Sequence, residues 1–210
     1  MDGIIFDVDG TLWDSTEVVA DSWNQAIAEN SDLDRRVTAK ELMGLFGKPL
    51  EEIMDALFPG LEKEKKDQLA VHCYQYENAV VAKAPCVYYE GMVEGIKELS
   101  KRYKLFIVSN CQEGYIEAFL ENTGLGEYVT DFTCPGDTGL LKADNIRIIM
   151  ERNNLKKAVY IGDTQGDANA CKDAGIPMIF AGYGFGSVEG EYTTIQSFGE
   201  LLDMDYDAVL

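Results

Sequence analysis

The sequence predicts an α/β fold: an open, mostly parallel sheet with helices on both faces, interrupted early by a small helical insert. Three observations predict it. Continuous apolar runs of strand length recur along the chain, around Ile4 to Phe6, Leu105 to Val108, Val159 to Ile161 and Met178 to Phe180. Such runs mark strands buried on both faces. Segments of helical periodicity separate the later runs, which implies right-handed crossovers. Between the first run and the second, residues 15–87 carry helical patterning and no β-rich stretch.

In order along the chain, the opening strand ends abruptly on Asp7-Val8-Asp9-Gly10-Thr11. Asp14-Ser15-Thr16-Glu17 reads as a helix start, with capping residues ahead of Ala20, Trp23 and Ile27 at helical spacing. From there to about Pro85 the pattern predicts helix throughout, broken between Gly44 and Pro49 and again at Pro59-Gly60. Met92, Ile96 and Leu99 mark the next helix, and Lys104 to Asn110 the second strand. A helix from Tyr115 to about Asn122, stopped by Gly124, precedes a short strand near Phe132. Ile146, Ile149 and Met150 form the apolar face of a helix from about Ala143 to Asn153. The strand Ala158 to Asp163, a helix over Asp167 to Ala174 and the strand Pro177 to Phe180 complete the pattern.

Bulk properties limit the function. With 46% hydrophobic and 26% charged residues, the 210-residue chain has the composition of a globular protein. A formal net charge of -19 argues against nucleic acid as a partner, because phosphate backbones are held by clustered Lys and Arg. No apolar run has the length of a membrane span, and the first residues lack the basic and apolar regions of a signal peptide, so the expected setting is cytoplasmic. The five cysteines are scattered, with no Cys-x-x-Cys spacing, which suits reduced thiols and gives no zinc signature. Cys111 has no histidine partner in sequence and reads as a bystander, and the single histidine, His72, reads as structural. Acid–base chemistry here falls to carboxylates.

Alternate residues of a strand share a face, so Asp7 and Asp9 emerge together where the first strand ends. Gly10 lets the backbone turn close to a ligand, and Thr11 supplies a hydroxyl donor. Paired carboxylates require a counter-charge, either a divalent cation or a substrate carrying one. Ser109, Asn110 and Asp163 also fall at or just past strand ends, where open α/β sheets bind ligands.

The ordered set Asp7-Val8-Asp9-Gly10-Thr11, Ser109-Asn110, Lys142 and Gly162-Asp163-Thr164-Gln165-Gly166-Asp167 resembles the motifs of the haloacid dehalogenase superfamily. The resemblance spans essentially the whole chain. It implies a Rossmann-like core over 1–14 and 88–210, with a C1-type helical cap domain over 15–87. It further implies a phosphohydrolase in which Asp7 is the nucleophile and Asp9 the acid–base. Mg2+ would be held by Asp7, the backbone carbonyl of Asp9 and Asp163, with Asp167 supporting the site behind them. Ser109 and Lys142 would hold the phosphoryl oxygens, with Gly10, Thr11 and Asn110 also on the substrate. Many relatives follow the lysine with proline, where this chain has Ala143.

Asp9 favours phosphate chemistry over dehalogenation, which needs no proton for an alkoxide. Val18 and Val19 stand where a sugar-phosphate mutase of this superfamily would be expected to carry histidine, so that alternative is disfavoured. The loop Phe46-Gly47-Lys48-Pro49-Leu50 and the glycine-rich Ala181 to Gly186 resemble the phosphoglycolate phosphatase branch, with Lys48 expected to reach a substrate tail and hinges expected near Asp14 and Val87. The expected partner is a small-molecule phosphate ester, with monomer and homodimer both open. An inorganic pyrophosphatase on the same scaffold and a non-catalytic binding module are the alternatives.

Overall fold

The computed structural model describes residues 1–209. Six parallel strands form the sheet: β1 (Gly3–Phe6), β4 (Lys104–Val108), β5 (Asp131–Thr133), β6 (Ala158–Gly162), β7 (Met178–Ala181) and β8 (Thr193–Ile195). Their order is β5-β4-β1-β6-β7-β8, so the first strand is flanked by β4 and β6. Phe6 pairs with Ile107 on one side and Ile161 on the other, which brings the residues following all three strands out side by side.

Alternation along β1 divides the core. Ile4 and Phe6 pack into one apolar cluster, with helices α5 (Met92–Ser100) and α6 (Tyr115–Thr123). Ile5 packs into the other, with α8 (Lys142–Arg152) and α9 (Gln165–Ala174). Both faces of the sheet are therefore buried, and this is why β1 reads as a continuous apolar run. The period of two also sets Asp7 on the Ile5 side, where α8 begins with Lys142. A short helix, α7 (Pro135–Thr138), leads toward α8.

The insert leaves and rejoins the core through an antiparallel ribbon, β2 (Trp13–Asp14) against β3 (Val87–Tyr88). These two short strands coincide with the crossings near Asp14 and Val87, although two-residue strands leave no periodicity to read. The insert itself holds α1 (Thr16–Asn30), α2 (Ala39–Met43), α3 (Leu50–Leu57) and α4 (Lys63–Val81), with α1 packed along α4. Continuous helix to Pro85 is corrected between residues 31 and 38, which are not helical. The Ser31 hydroxyl donates to Ile27 O at the end of α1, and Asn24 brackets the Val37 backbone at 2.7 and 2.8 Å. Thr38 then starts α2 with a reciprocal capping box to Glu41. Side chains that bond the backbone locally compete with the helical ladder, and here they win.

Candidate active site

Asp7 follows β1 and is fully buried, its backbone N–H donating to Ile161 O at 2.9 Å. Lys142 Nζ lies 3.0 Å from Asp7 Oδ1 and 2.6 Å from Asp167 Oδ1, with all three side chains out of solvent. Ser109, buried just past β4, borders the same cavity as Asp7. Removing one member of such a buried ion pair costs about 3–5 kcal/mol, because the other charge is left uncompensated.

Asp167 is fully committed. Its Oδ2 accepts from the backbone N–H groups of Asp163 and Thr164 and from the Thr164 hydroxyl, closing a capping box at the start of α9, while Oδ1 takes Lys142. It thus anchors the lysine and the Asp163 turn together. Asp163 lies just past β6, buried, with Oδ2 accepting from Phe185 N at 2.8 Å and Oδ1 from the Thr11 hydroxyl at 3.3 Å. Gly10 is required beside it: its φ is +80°, and a Cβ there would stand 2.2 Å from Asp163 Oδ2.

Carboxylate oxygens of Asp7, Asp163 and Asp167 lie within 4.8 Å of one another. Lys142 serves Asp7 and Asp167 but makes no ion pair with Asp163. Burial therefore pushes Asp163 up to about 8, and the charges of Asp167 and Asp7 push the same way. Burial also lifts Asp7 to about 6, against the pull of Lys142. Burial works against the charge on Lys142, but Asp167 and Asp7 together outweigh it and hold the ammonium above its usual range. Three buried carboxylates around one lysine leave excess negative charge. An all-oxygen donor set of this kind fits a hard divalent cation.

Asp9 is held differently. Its Oδ1 accepts from Trp13 Nε1 at 3.0 Å, Ser15 Oγ at 2.7 Å and Tyr115 Oη at 2.7 Å, and Ser15 and Tyr115 also contact each other at 2.9 Å. All three bonds fall on one oxygen, which leaves Oδ2 as the proton-carrying atom. Desolvation raises Asp9 to about 7, opposed by hydrogen bonds from Tyr115, Ser15 and Trp13. A carboxyl near neutrality can give a proton and take one back.

None of these three donors stands out in the sequence. Ser15 reads as a helix cap, yet its side chain makes no cap bond; the Asp14 carboxylate takes the Thr16 N–H and hydroxyl instead. Tyr115 is remote in sequence, and nothing local marks it. The Phe185 N–H is likewise visible only as part of a glycine-rich loop.

The insert closes over these residues. Phe46, Gly47, Leu50, Ile53, Trp23 and Glu77 share the wall of a cavity of about 20 Å³ with Asp7 and Asp9. That volume holds about one water. Asn110 donates to Gly47 O at 2.8 Å and ties the insert loop to the core. Gly47 has φ +87°, and a Cβ on it would press within 2.9 Å of Thr164. Outside this latch lies a second cleft of about 640 Å³, lined by Lys48, Lys142, Leu141 and Gln165 among others. Lys48 is exposed there and does not border the inner cavity. His72 borders neither space, and Cys111 borders the inner one as a buried thiol pushed well up by burial, unsuited to nucleophilic attack.

A family model described as haloacid dehalogenase-like hydrolase matches residues 4–181, which include every motif that forms this site. The chain belongs to that family. A pyrophosphatase PpaX of Bacillus velezensis is 27% identical over 177 residues, covering 82% of this chain and 79% of that protein. A phosphoglycolate phosphatase of Photobacterium profundum is 27% identical over 224 aligned positions, covering 96% and 94%. A solved haloacid dehalogenase-like hydrolase of Streptococcus pneumoniae superposes with TM-score 0.80 at 22% identity, over 97% of each chain, a likeness of fold. The haloacid dehalogenase-like hydrolase core, a Rossmann-like parallel sheet, is thus present along with its motif residues.

Proposed function

We propose that this hydrolase is a Mg2+-dependent phosphatase of small phosphate monoesters that works through an aspartyl-phosphate on Asp7. The observation that carries the reading is the buried Asp7 carboxylate, charge-paired to Lys142 and clustered with the carboxylates of Asp163 and Asp167. Lys142 and Ser109 offset the charge of an approaching phosphoryl group, so that two anions can meet. An Asp7 oxygen attacks phosphorus, the bond to the leaving oxygen breaks, and its electron pair takes the proton from Asp9 Oδ2. Water then attacks the phosphorus of the aspartyl-phosphate and gives its proton to Asp9, and the bond to Asp7 breaks, releasing inorganic phosphate. Asp7, Asp163 and the Asp9 carbonyl would hold Mg2+, which supplies charge neutralisation at the phosphoryl oxygens.

Residues 15–87 serve as the cap, which must withdraw for substrate to enter, since about 20 Å³ admits none. Gly10 and Thr11 shape the turn beneath the phosphoryl group, and Asn110 holds the cap loop. Lys48, at the mouth, attracts the phosphate dianion against the net charge of -19. The relatives named phosphoglycolate phosphatase support that branch for the architecture, and those named pyrophosphatase make pyrophosphate the second substrate to assay. Five free cysteines suit a cytoplasmic setting, and among the described residues no helix is long and apolar enough to cross a membrane.

The test is a panel of small phosphate esters and pyrophosphate, run with Mg2+ and with chelator. Phosphate release that requires Mg2+ is expected, and Asp7→Asn should abolish it while leaving the far-UV spectrum intact. Substantial turnover by the purified variant would contradict the nucleophile.

A further inference from the structure

The inner cavity has a cap-side wall of Trp23, Phe46, Leu50 and Ile53, all apolar in bulk, plus one carboxyl, Glu77 on α4. Glu77 is 4% exposed. From the core side the cavity receives Asp7, Asp9, Ser109, Gln112 and Tyr115 among its lining residues, and no lysine or arginine. Lys142 and Lys48 open on the outer cleft. Once the insert has opened to admit an ester and closed again on it, the leaving group faces this wall, because Asp9, its proposed proton donor, stands on the same side of the site.

We propose that Glu77 selects the leaving group, so that the preferred substrates are phosphate esters whose alcohol presents hydroxyl or ammonium donors and carries no negative charge. The inference rests on the phosphatase reading above. Glu77 Oε2 accepts from Trp23 Nε1 at 2.6 Å, a neutral donor, and the uncharged Gln112 side chain borders the same cavity. Glu77 has no counter-charge, and burial accordingly lifts it to about 8, with Gln112 and Trp23 pulling the other way. An ammonium entering here supplies that counter-charge, and a hydroxyl finds an acceptor at little cost. A carboxylate or a second phosphate would enter a desolvated space lined by the carboxyls of Asp7, Asp9 and Glu77 and by no lysine or arginine. A carboxyl that merely joined α1 to α4 through Trp23 would leave the choice of leaving group unaffected.

The experiment compares kcat/KM of the intact protein with Mg2+ on phosphoethanolamine, glycerol 2-phosphate, phosphoglycolate and pyrophosphate, with acetyl phosphate as a small activated reference. Phosphoethanolamine or glycerol 2-phosphate should exceed phosphoglycolate and pyrophosphate by about tenfold or more. In Glu77→Gln, which keeps the shape and a Trp23 acceptor, the preference for phosphoethanolamine over phosphoglycolate should shrink about tenfold. Wild-type protein that prefers phosphoglycolate or pyrophosphate overturns the proposal and leaves the phosphatase reading standing, as does a folded Glu77→Gln with an unchanged ratio. Should that variant fail to fold, the wild-type ranking decides. Absence of Mg2+-dependent hydrolysis on every ester, acetyl phosphate included, overturns the phosphatase reading and this inference with it.

Discussion

Replacing Tyr115 with phenylalanine removes one of three donors from Asp9 Oδ1 while leaving Trp13 and Ser15 in place. The hydrogen bond favours the ionised carboxylate, so its loss raises the Asp9 pKa above its present value of about 7. A bond to a charged acceptor contributes about 1.5–3 kcal/mol, and one pKa unit corresponds to about 1.4 kcal/mol. Two remaining donors on the same oxygen favour the low end, hence a rise of about one unit. Asp9 must be protonated to serve a poor leaving group, so the alkaline limb of kcat/KM should move up by that amount. The assay is a pH profile on glycerol 2-phosphate beside p-nitrophenyl phosphate, whose leaving group needs no proton and whose alkaline limb should hardly move. Bound metal lowers the Asp9 pKa in both proteins and leaves the direction unchanged. A limb that stays in place, or moves down, in a variant that still melts cooperatively would refute the role given to Tyr115.

Lys48→Ala should raise KM several-fold for phosphate dianions with little change in kcat, and the difference from wild type should fade at high salt, as expected for exposed steering charge; identical KM values at low salt would count against it. Gly47→Ala forces a side chain into a backbone with φ +87° and against Thr164, so kcat/KM should drop at least several-fold and the melting temperature should fall by a few degrees. Wild-type kinetics in Gly47→Ala would show that the latch to Asn110 is dispensable. In the folded protein Asp7 and Asp163 are raised from 3.8 to about 6 and about 8, so the native state binds more protons than the unfolded chain between those values. Stability in chelator should therefore fall as pH rises from about 4 to about 8, and Mg2+ should restore more of it at the upper end. A chelator melting curve that improves with pH over that window would reverse the sign and the reasoning.

The strands were legible because a sheet covered on both faces writes itself as unbroken apolar runs, and β1, β4 and β6 all carry one. Asp7 and Asp163 were legible for a related reason, since each follows a strand whose end the sequence marks, whereas Lys142 stands out only through the resemblance to the family's motifs. What escaped notice is held by contacts that leave no periodicity. The ribbon β2–β3 is two residues deep on each side, and β8 (Thr193–Ile195) is a short edge strand. Residues 31–38 depart from helix because Asn24 and Ser31 capture backbone groups, a competition invisible in apolar spacing. Ser15 stands where a helix cap is expected but makes no cap bond. It does precede α1, but Asp14 takes over the local bonds and frees the hydroxyl for Asp9. Glu77 lies on α4, a charged amphipathic helix where one more acidic residue carries no signal, until the fold turns that residue inward.

The ribbon that joins the insert to the core also holds Asp9, the carboxyl proposed as proton donor. Trp13 lies on β2 and Ser15 immediately after it, and both grip the same oxygen of Asp9. A cap that pivots at this ribbon would drag two of the three tethers with it, so the aim of the acid is geared to the hinge. On the proposed mechanism Asp7 and Lys142, which belong to the core, would keep their pairing as the insert lifts, while Asp9 would lose its alignment. An ester that met the open form would then find an attacking group with no means of letting its alcohol go.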